Sequence, residues 1–423
     1  MIRRLVHTVA VDTGALRESP AFRRLWTGQM VSLVGRQITT VAVPYQVYSL
    51  TGSPLAVGAV GLAQVIPLVS VSIGAGPIID RFDRRRILIV TQLGLSVCSG
   101  LLAIGALLGH PPLFAIYLVV AAAAAAAAVD SPTRTAIIPN VVSARRLTGA
   151  FSLNFAMYQS TMIAGPAVGG LIIARSGLPL AYAIDVATFA AALFAIVRLP
   201  AQPPKSVHHE PPLLAIKRGF QFARTQPVIL GGFAMDLCAM VFGLPRAIFP
   251  VLAATTFNAG PLGLGLLYAA PGAGAALAAL STGWLTRVRR LGRIIVVAIT
   301  IWGAAIIAFG FVSSLWVALV LLAVAGAADS LSAVCRTTIM QTIAPDELRG
   351  RLTSMFFMIV VGGPYLGDIE AGAVASAFGA RVSVVSGGVL CIAGLAVAAV
   401  LFPAVWAFRS KAPAQPVVGS GGR

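Results

Sequence analysis

Residues Gly76 to Arg86 read G-P-I-I-D-R-F-D-R-R-R, and their reading decides the fold. One long apolar run ends near Ile79 and the next begins at Ile87. Between them lie Arg81, Arg84, Arg85 and Arg86 together with Asp80 and Asp83. A turn so short and so charged between two hydrophobic spans belongs at a membrane surface. Short cytoplasmic loops carry the Lys/Arg excess, so this loop also predicts the side on which it lies.

Composition supports that placement. The chain has 423 residues, of which 58% are hydrophobic and 10% charged, whereas soluble domains are about a quarter charged. That composition describes a polytopic membrane protein embedded in the lipid bilayer. A net charge of +18 would suit nucleic acid only as a basic face on a soluble domain. Here the cations fall in short loops between apolar spans, so no nucleic-acid partner is expected. Cys98, Cys238, Cys335 and Cys391 lie in apolar stretches without C-x-x-C spacing or histidine companions. They read as small hydrophobes, with no metal site and no disulfide framework. Asp12, Arg17, Glu18 and Arg23 interrupt the N-terminal segment before any apolar core, so it does not read as a cleavable signal peptide.

Crossing the hydrocarbon core takes about 20 apolar residues. Twelve such spans are predicted, at 26–49, 54–79, 87–108, 112–135, 148–174, 178–198, 227–254, 262–286, 293–313, 315–338, 351–377 and 382–407. Of the 31 Lys and Arg, all but Arg36, Arg175, Arg246 and Arg381 fall on one side of that arrangement. The bias predicts that both termini are cytoplasmic. The longest connection, 199–226, divides the spans six and six. It opens with a proline-rich stretch containing His208-His209, read as solvated, and ends in an amphipathic helix on the membrane surface. The expected organisation is therefore an N-terminal segment 1–25, a six-helix bundle 26–198, the linker 199–226, a second bundle 227–407 and a tail 408–423. Weak repeats relate the halves: V-G-A-V-G at 57–61 resembles L-G-L-L-Y at 264–268, and Arg146-Leu147-Thr148 recurs as Arg351-Leu352-Thr353. Two six-span repeats place a solute path between them near the bilayer midplane. The fold class is all-α, with twelve transmembrane helices in two pseudo-symmetric six-helix bundles. The alanine run from Ala121 to Ala128 reads as helix packing.

The charged loop resembles the motif between the second and third helices of the major facilitator superfamily, with Asp83 where many members have glycine. That variant is similar to a subgroup holding drug–proton antiporters and siderophore exporters. A-G-P-A-V-G-G at 164–170 (Gly165, Pro166, Gly169, Gly170) resembles the fifth-helix bend motif of proton-driven exporters, and Gly362-Gly363-Pro364 echoes it. The segments S-P-A-F-R (19–23), A-V-P-Y-Q (42–46), L-P-R-A-I-F-P-V-L-A (244–253) and T-I-M-Q-T (338–342) resemble siderophore exporters of this superfamily. The resemblance implies a monomeric secondary transporter of the bacterial cytoplasmic membrane. It implies export of a siderophore or similar small molecule by proton antiport and alternating access, with a multidrug efflux pump as the alternative. A proton gradient would drive it without a cofactor. In the family, Gly76, Asp80, Arg81, Arg84 and Arg85 act as a conformational latch with an acidic partner, here Asp130. No G-x-x-x-x-G-K-[ST] is present, and P-G-A-G-A-A at 271–276 lies inside a span, so neither ATP hydrolysis nor an enzyme is expected. Asp346-Glu347 reads as a helix cap for the eleventh span.

Ionisable residues inside spans are costly and mark function by default. Arg36 and Arg246, one from each half, suit an anionic or catechol-bearing solute; their bland reading is an interhelical salt bridge, for instance with Asp368 or Glu370. Tyr45, Gln46, Tyr158, Gln159, Tyr268 and Tyr365 are placed near the substrate cavity, with interhelical packing as the alternative for each. Asp236 and Glu370, then Asp368, are the proton-coupling candidates. Asp185 sits in span six, read as a peripheral helix.

Overall fold

A computed structural model describes residues 13–203 and 212–409. Residues 1–12, the linker stretch with His208-His209 and the tail from residue 410 lie outside the described residues. No strand occurs among the described residues. The bilayer explains this: a backbone crossing lipid must satisfy its own N–H and C=O groups, and a helix does so within one segment.

Helix ends follow from local sequence. Helix α1 (Pro20–Thr51) and helix α2 (Pro54–Arg81) both begin with Ser-Pro. Ser19 Oγ accepts from Phe22 N at 3.0 Å, and Ser53 Oγ accepts from Ala56 N at 3.3 Å. Proline at the first helical position gives up an N–H that would have no partner there. Between them Gly52 adopts φ 63°, a left-handed helix stop. Helices α3 (Arg84–Leu108) and α4 (Leu113–Val141) follow. Next comes a 51-residue run, Leu147–Val197. At 1.5 Å per residue it is about 77 Å long, more than twice the ~30 Å hydrocarbon core. Gly177 (φ 79°, ψ 178°) breaks it in a conformation open to glycine alone. The run is therefore two spans, α5 (147–176) and α6 (178–197).

In the second half, α7 departs from the expected unbroken helix 227–254. It runs Pro227–Phe242, loosens at Gly243–Pro245, turns through Arg246–Ile248 and resumes as Phe249–Thr255. Pro245 and Pro250 each lack an N–H, and Trp302 Nε1 donates at 2.7 Å to the carbonyl of Gly243 at the break. The break hands Arg246 and the N–H of Ala247 to the interior. Helices α8 (Gly260–Ser281), α9 (Leu291–Phe309), α10 (Leu315–Ile343), α11 (Asp346–Phe378) and α12 (Ala380–Leu401) complete the twelve. Pro345 occupies the cap position of α11, so Asp346-Glu347 open its first turn instead. The linker helix Pro212–Thr225 packs on α11 and α7.

The halves meet along two helix pairs, α2 with α11 and α5 with α8. A Cβ built on Gly58 would lie 3.2 Å from Gly372 Cα, and one on Gly170 would lie 2.9 Å from Gly265 Cα. Lipid provides no hydrophobic force between helices, so small residues are what permit this approach. Leu55 N also donates to Ser376 Oγ at 3.1 Å across the α2–α11 seam. All these contacts lie at the end opposite Gly76–Arg86. Toward the arginine-rich end, a Cβ on Gly74 or Gly76 of α2 would meet nothing within 4 Å. The molecule is pinched at one end and parted at the other.

Candidate functional site: a charged cavity between the two bundles

Between the two bundles lies a cavity of about 220 Å³. From α1 it receives Arg36, Thr39 and Thr40, from α2 Gln64, and from the break in α7 Arg246 and Ala247. Helix α8 adds Tyr268, and α11 adds Tyr365 and Asp368. Helix α4 contributes Val120, Ala123, Ala124 and Ala127, so the alanine run is a cavity wall as well as a packing surface.

Arg246 is paired. Its Nη2 lies 2.8 Å from Asp368 Oδ2, while Asp368 Oδ1 accepts from Ala247 N at 3.1 Å. The Tyr365 ring stands 5.3 Å from the Arg246 guanidinium, and Tyr268 Oη donates to the Arg246 carbonyl at 3.2 Å. Asp368 also belongs to the seam, because a Cβ on Gly61 of α2 would lie 2.9 Å from Asp368 Cβ. The ion pair is thus built into the closed end of the cavity.

Arg36 is wired differently. It forms no ion pair among the described residues, and its Nε is buried without a hydrogen-bond partner. Asp185, 1% exposed, lines the same cavity from α6. Its Oδ2 accepts from Thr39 Oγ1 at 2.6 Å and from Ser99 Oγ at 2.7 Å. A sequence reading that sets α6 at the periphery overlooks it. One signal was available in the sequence, a carboxylate inside a span; that a Cβ on Gly35 of α1 would run into Asp185 and Thr188 shows only in the packing.

Four residues expected in the cavity are there: Arg36, Arg246, Tyr268 and Tyr365. The other four are outside that lining. Gln46 is buried and its Oε1 accepts from Tyr182 Oη at 2.7 Å, tying α1 to α6. Tyr45 is half-buried against the main core, Tyr158 is exposed, and Gln159 is half-buried outside the cavity lining. Of the three coupling carboxylates, Asp368 alone lines the cavity. Asp236, fully buried, pairs at 2.7 Å with Arg336 of α10, which also lies 3.7 Å from Asp329. Glu370 is two helical positions beyond Asp368, which turns it to another face of α11.

The Gly76–Arg86 loop binds its own half. Asp83 caps α3, its Oδ1 accepting from Arg85 N at 2.8 Å and from Gln202 N at 3.2 Å. Arg84 Nη1 donates to Ala136 O of α4 at 3.1 Å, and Arg85 donates to Val197 O at the end of α6. Such cations at helix C-termini satisfy orphan carbonyls. Asp130 is buried within the N-terminal bundle, bonded to Arg134 at 2.7 Å and to Thr91 and Gln92 at 2.9 Å each. Of the fifth-helix motif, Gly169 faces the Ile38 backbone on α1 and Gly165 faces Gln37. Gly170 faces α8 instead, across the seam between the halves.

Twelve helices in two bundles around a charged cavity define a membrane transporter of the major facilitator type. The transmembrane secretion effector family matches residues 14–416, and the chain belongs to that family. Enterobactin exporter EntS of Shigella boydii is 28% identical over 360 residues, 84% of this chain and 86% of that protein. EntS of Citrobacter koseri is 29% identical over the same shares. Among solved structures, the nucleoside transporter NupG superposes with a TM-score of 0.70 at 12% identity, covering 92% of this chain and 98% of that one. A POT family transporter in complex with 5-aminolevulinic acid gives 0.72 at 11% identity, covering 92% and 97%.

Proposed function

We propose that this protein exports a siderophore across a bacterial cytoplasmic membrane in exchange for protons, by alternating access. The observation that carries the reading is Arg36, a half-buried arginine lining the interbundle cavity, with a buried Nε that makes no hydrogen bond and no ion-pair partner among the described residues. A charge inside the membrane without a partner is costly, and an incoming anionic oxygen supplies one. Tyr268 and Tyr365 offer ring faces to an aromatic solute. The similarity to enterobactin exporters supports a catecholate as the solute class. The arginine bias supports a cytoplasmic location for the Gly76–Arg86 end and for both termini, so the parted end of the cavity faces the cytoplasm.

In this reading the seams α2–α11 and α5–α8 are the outer closure. Opening them would expose Asp368 to the opposite side of the membrane, giving one carboxylate access to protons on each side in turn. Asp236, already held by Arg336, and Glu370, off the cavity, rank behind Asp368 as proton carriers. The Gly76–Arg86 loop would meet the inner end of α11 when the cytoplasmic side closes. One chain encloses the whole cavity, which supports a monomeric transporter.

The test is transport in inside-out proteoliposomes with an imposed pH gradient. Enterobactin should accumulate only while the gradient is maintained. Gradient-driven accumulation of erythromycin or tetracycline, with none of enterobactin, would establish the multidrug alternative in its place.

A further inference from the structure

We propose that the loop between α8 and α9 is a binding site for an anionic phospholipid, whose headgroup phosphate is held by Arg289, Arg290 and Arg293 with Trp406 at its edge. The site is separate from the solute cavity, and the proposal does not depend on which solute is carried.

The internal repeat exposes the site. Gly76–Arg86 of the first half corresponds to Gly283–Arg293 of the second, and α3 starts at Arg84 as α9 starts at Leu291. The two loops differ in charge. Arginine stands at 287 and 290, where the first loop has Asp80 and Asp83. The Asp83 carboxylate caps α3, whereas α9 has Arg290 at the cap position and no side-chain cap. In the first loop Arg84 and Arg85 donate to helix-end carbonyls. Arg289, Arg290 and Arg293 make no ion pair and no side-chain hydrogen bond among the described residues. Helices α8, α9 and α12 contain no Asp or Glu that could serve them.

Packing sets these cations at the edge of the lipid. Helix α9 starts against the short helix Pro403–Ala407, so closely that a Cβ on Gly292 would overlap the carbonyl of Val405. The Arg293 guanidinium stands 5.1 Å from the Trp406 ring centroid, and tryptophan favours the headgroup level of a bilayer. Arg289 and Arg290, just ahead of the helix, are exposed. An apolar flank continues the site into the bilayer: Val297 of α9, Val400 and Leu401 of α12, and Trp406 are all exposed, and α12 packs on α9. Topology alone accounts for arginines at this end. It does not account for their leaving carbonyls and carboxylates alone when the equivalent loop engages its own. A phosphate matches the guanidinium fork, and cation clusters beside a span attract anionic headgroups. Acyl chains cover the apolar flank, which a soluble anion would leave bare. A phosphatidylcholine headgroup brings its own cation among the arginines, so phosphatidylglycerol is the better fit.

Tryptophan quenching of the purified full-length protein in phosphatidylcholine vesicles tests this. Phosphatidylglycerol or phosphatidylcholine brominated on its acyl chains is introduced at rising mole fraction. In the parent protein, brominated phosphatidylglycerol should reach half-maximal quenching at about fivefold lower mole fraction; coincident curves overturn the proposal. Trp406→Phe should remove the component that saturates early. Arg289→Gln, Arg290→Gln and Arg293→Gln together should abolish the preference. Arg290→Asp alone should weaken it, because it restores the capping carboxylate of the first loop and repels a phosphate. A control that removes as much charge, Arg17→Gln with Arg23→Gln and Arg145→Gln, should keep the preference. A preference that survives the α9 substitutions, or falls equally in both triple variants, overturns the site. Suppression by inorganic phosphate, beyond that of chloride at equal ionic strength, would assign the arginines to a soluble anion and likewise reject the lipid.

Discussion

Two arginine–carboxylate sets face one cavity, and they are wired in opposite ways. In the C-terminal half, Arg246 and Asp368 close on each other at 2.8 Å, and the break in α7 adds the Ala247 N–H. In the N-terminal half, Asp185 is satisfied by hydroxyls while Arg36 has no ion-pair partner among the described residues, although the Nε of both arginines is buried without a hydrogen bond. The first set contains its own ion pair and lies in the seam between the halves. The second holds a cation without one. A pseudo-symmetric fold thus carries an asymmetric site: one half supplies a strut, the other an arginine without an ion pair among the described residues.

The largest expected effect comes from breaking the strut. Arg246→Ala leaves Asp368 buried without its cation, which costs about 3–5 kcal/mol and should lower the unfolding midpoint in detergent sharply. Arg36→Ala should leave that midpoint close to the parent value while weakening enterobactin binding about tenfold or more, the loss of one charged hydrogen bond. Equal destabilisation by the two substitutions would erase the contrast.

A second comparison sets the pinched end against the parted end. Gly170→Leu drives a side chain into the α8 backbone at Gly265, and overpacking of this kind costs about 1–3 kcal/mol. It should bias the protein toward the conformation in which α5 and α8 separate, read as longer spin-label distances across that seam. Gly74→Leu, in open space, should leave the distances unchanged.

The smallest effect is expected at the loop. Asp83→Ala removes the α3 cap and should cost about 1 kcal/mol of stability, with solute binding intact. A larger loss, or a change in binding, would give Asp83 a part in gating beyond capping.

How much of this was legible from residues alone depends on range. The twelve spans could be read because each needs only its own apolar length, and the Ser-Pro starts at α1 and α2 because capping is local. Gly177 could be anticipated as a boundary between two spans. The break in α7 could not be placed from apolar length, since Gly243 to Ile248 is itself apolar apart from Arg246. Of the cavity, the two arginines announced themselves as charges inside spans. Their different pairing did not, because Asp368 lies 122 residues from Arg246 in sequence, and periodicity carries no information about which helix packs beside which. Asp185 was visible as a buried carboxylate and set aside on helix order alone.

The sequence by itself determined an all-helical membrane protein of twelve spans in two related halves, because hydropathy and the need for internal hydrogen bonding act segment by segment. It also determined the short list of intramembrane charges. Only the tertiary structure decided which of those charges are spent on one another and which are not. That choice turns on ångström-scale distances between helices remote in the chain, set by where glycines such as Gly58, Gly170, Gly265 and Gly372 let backbones meet.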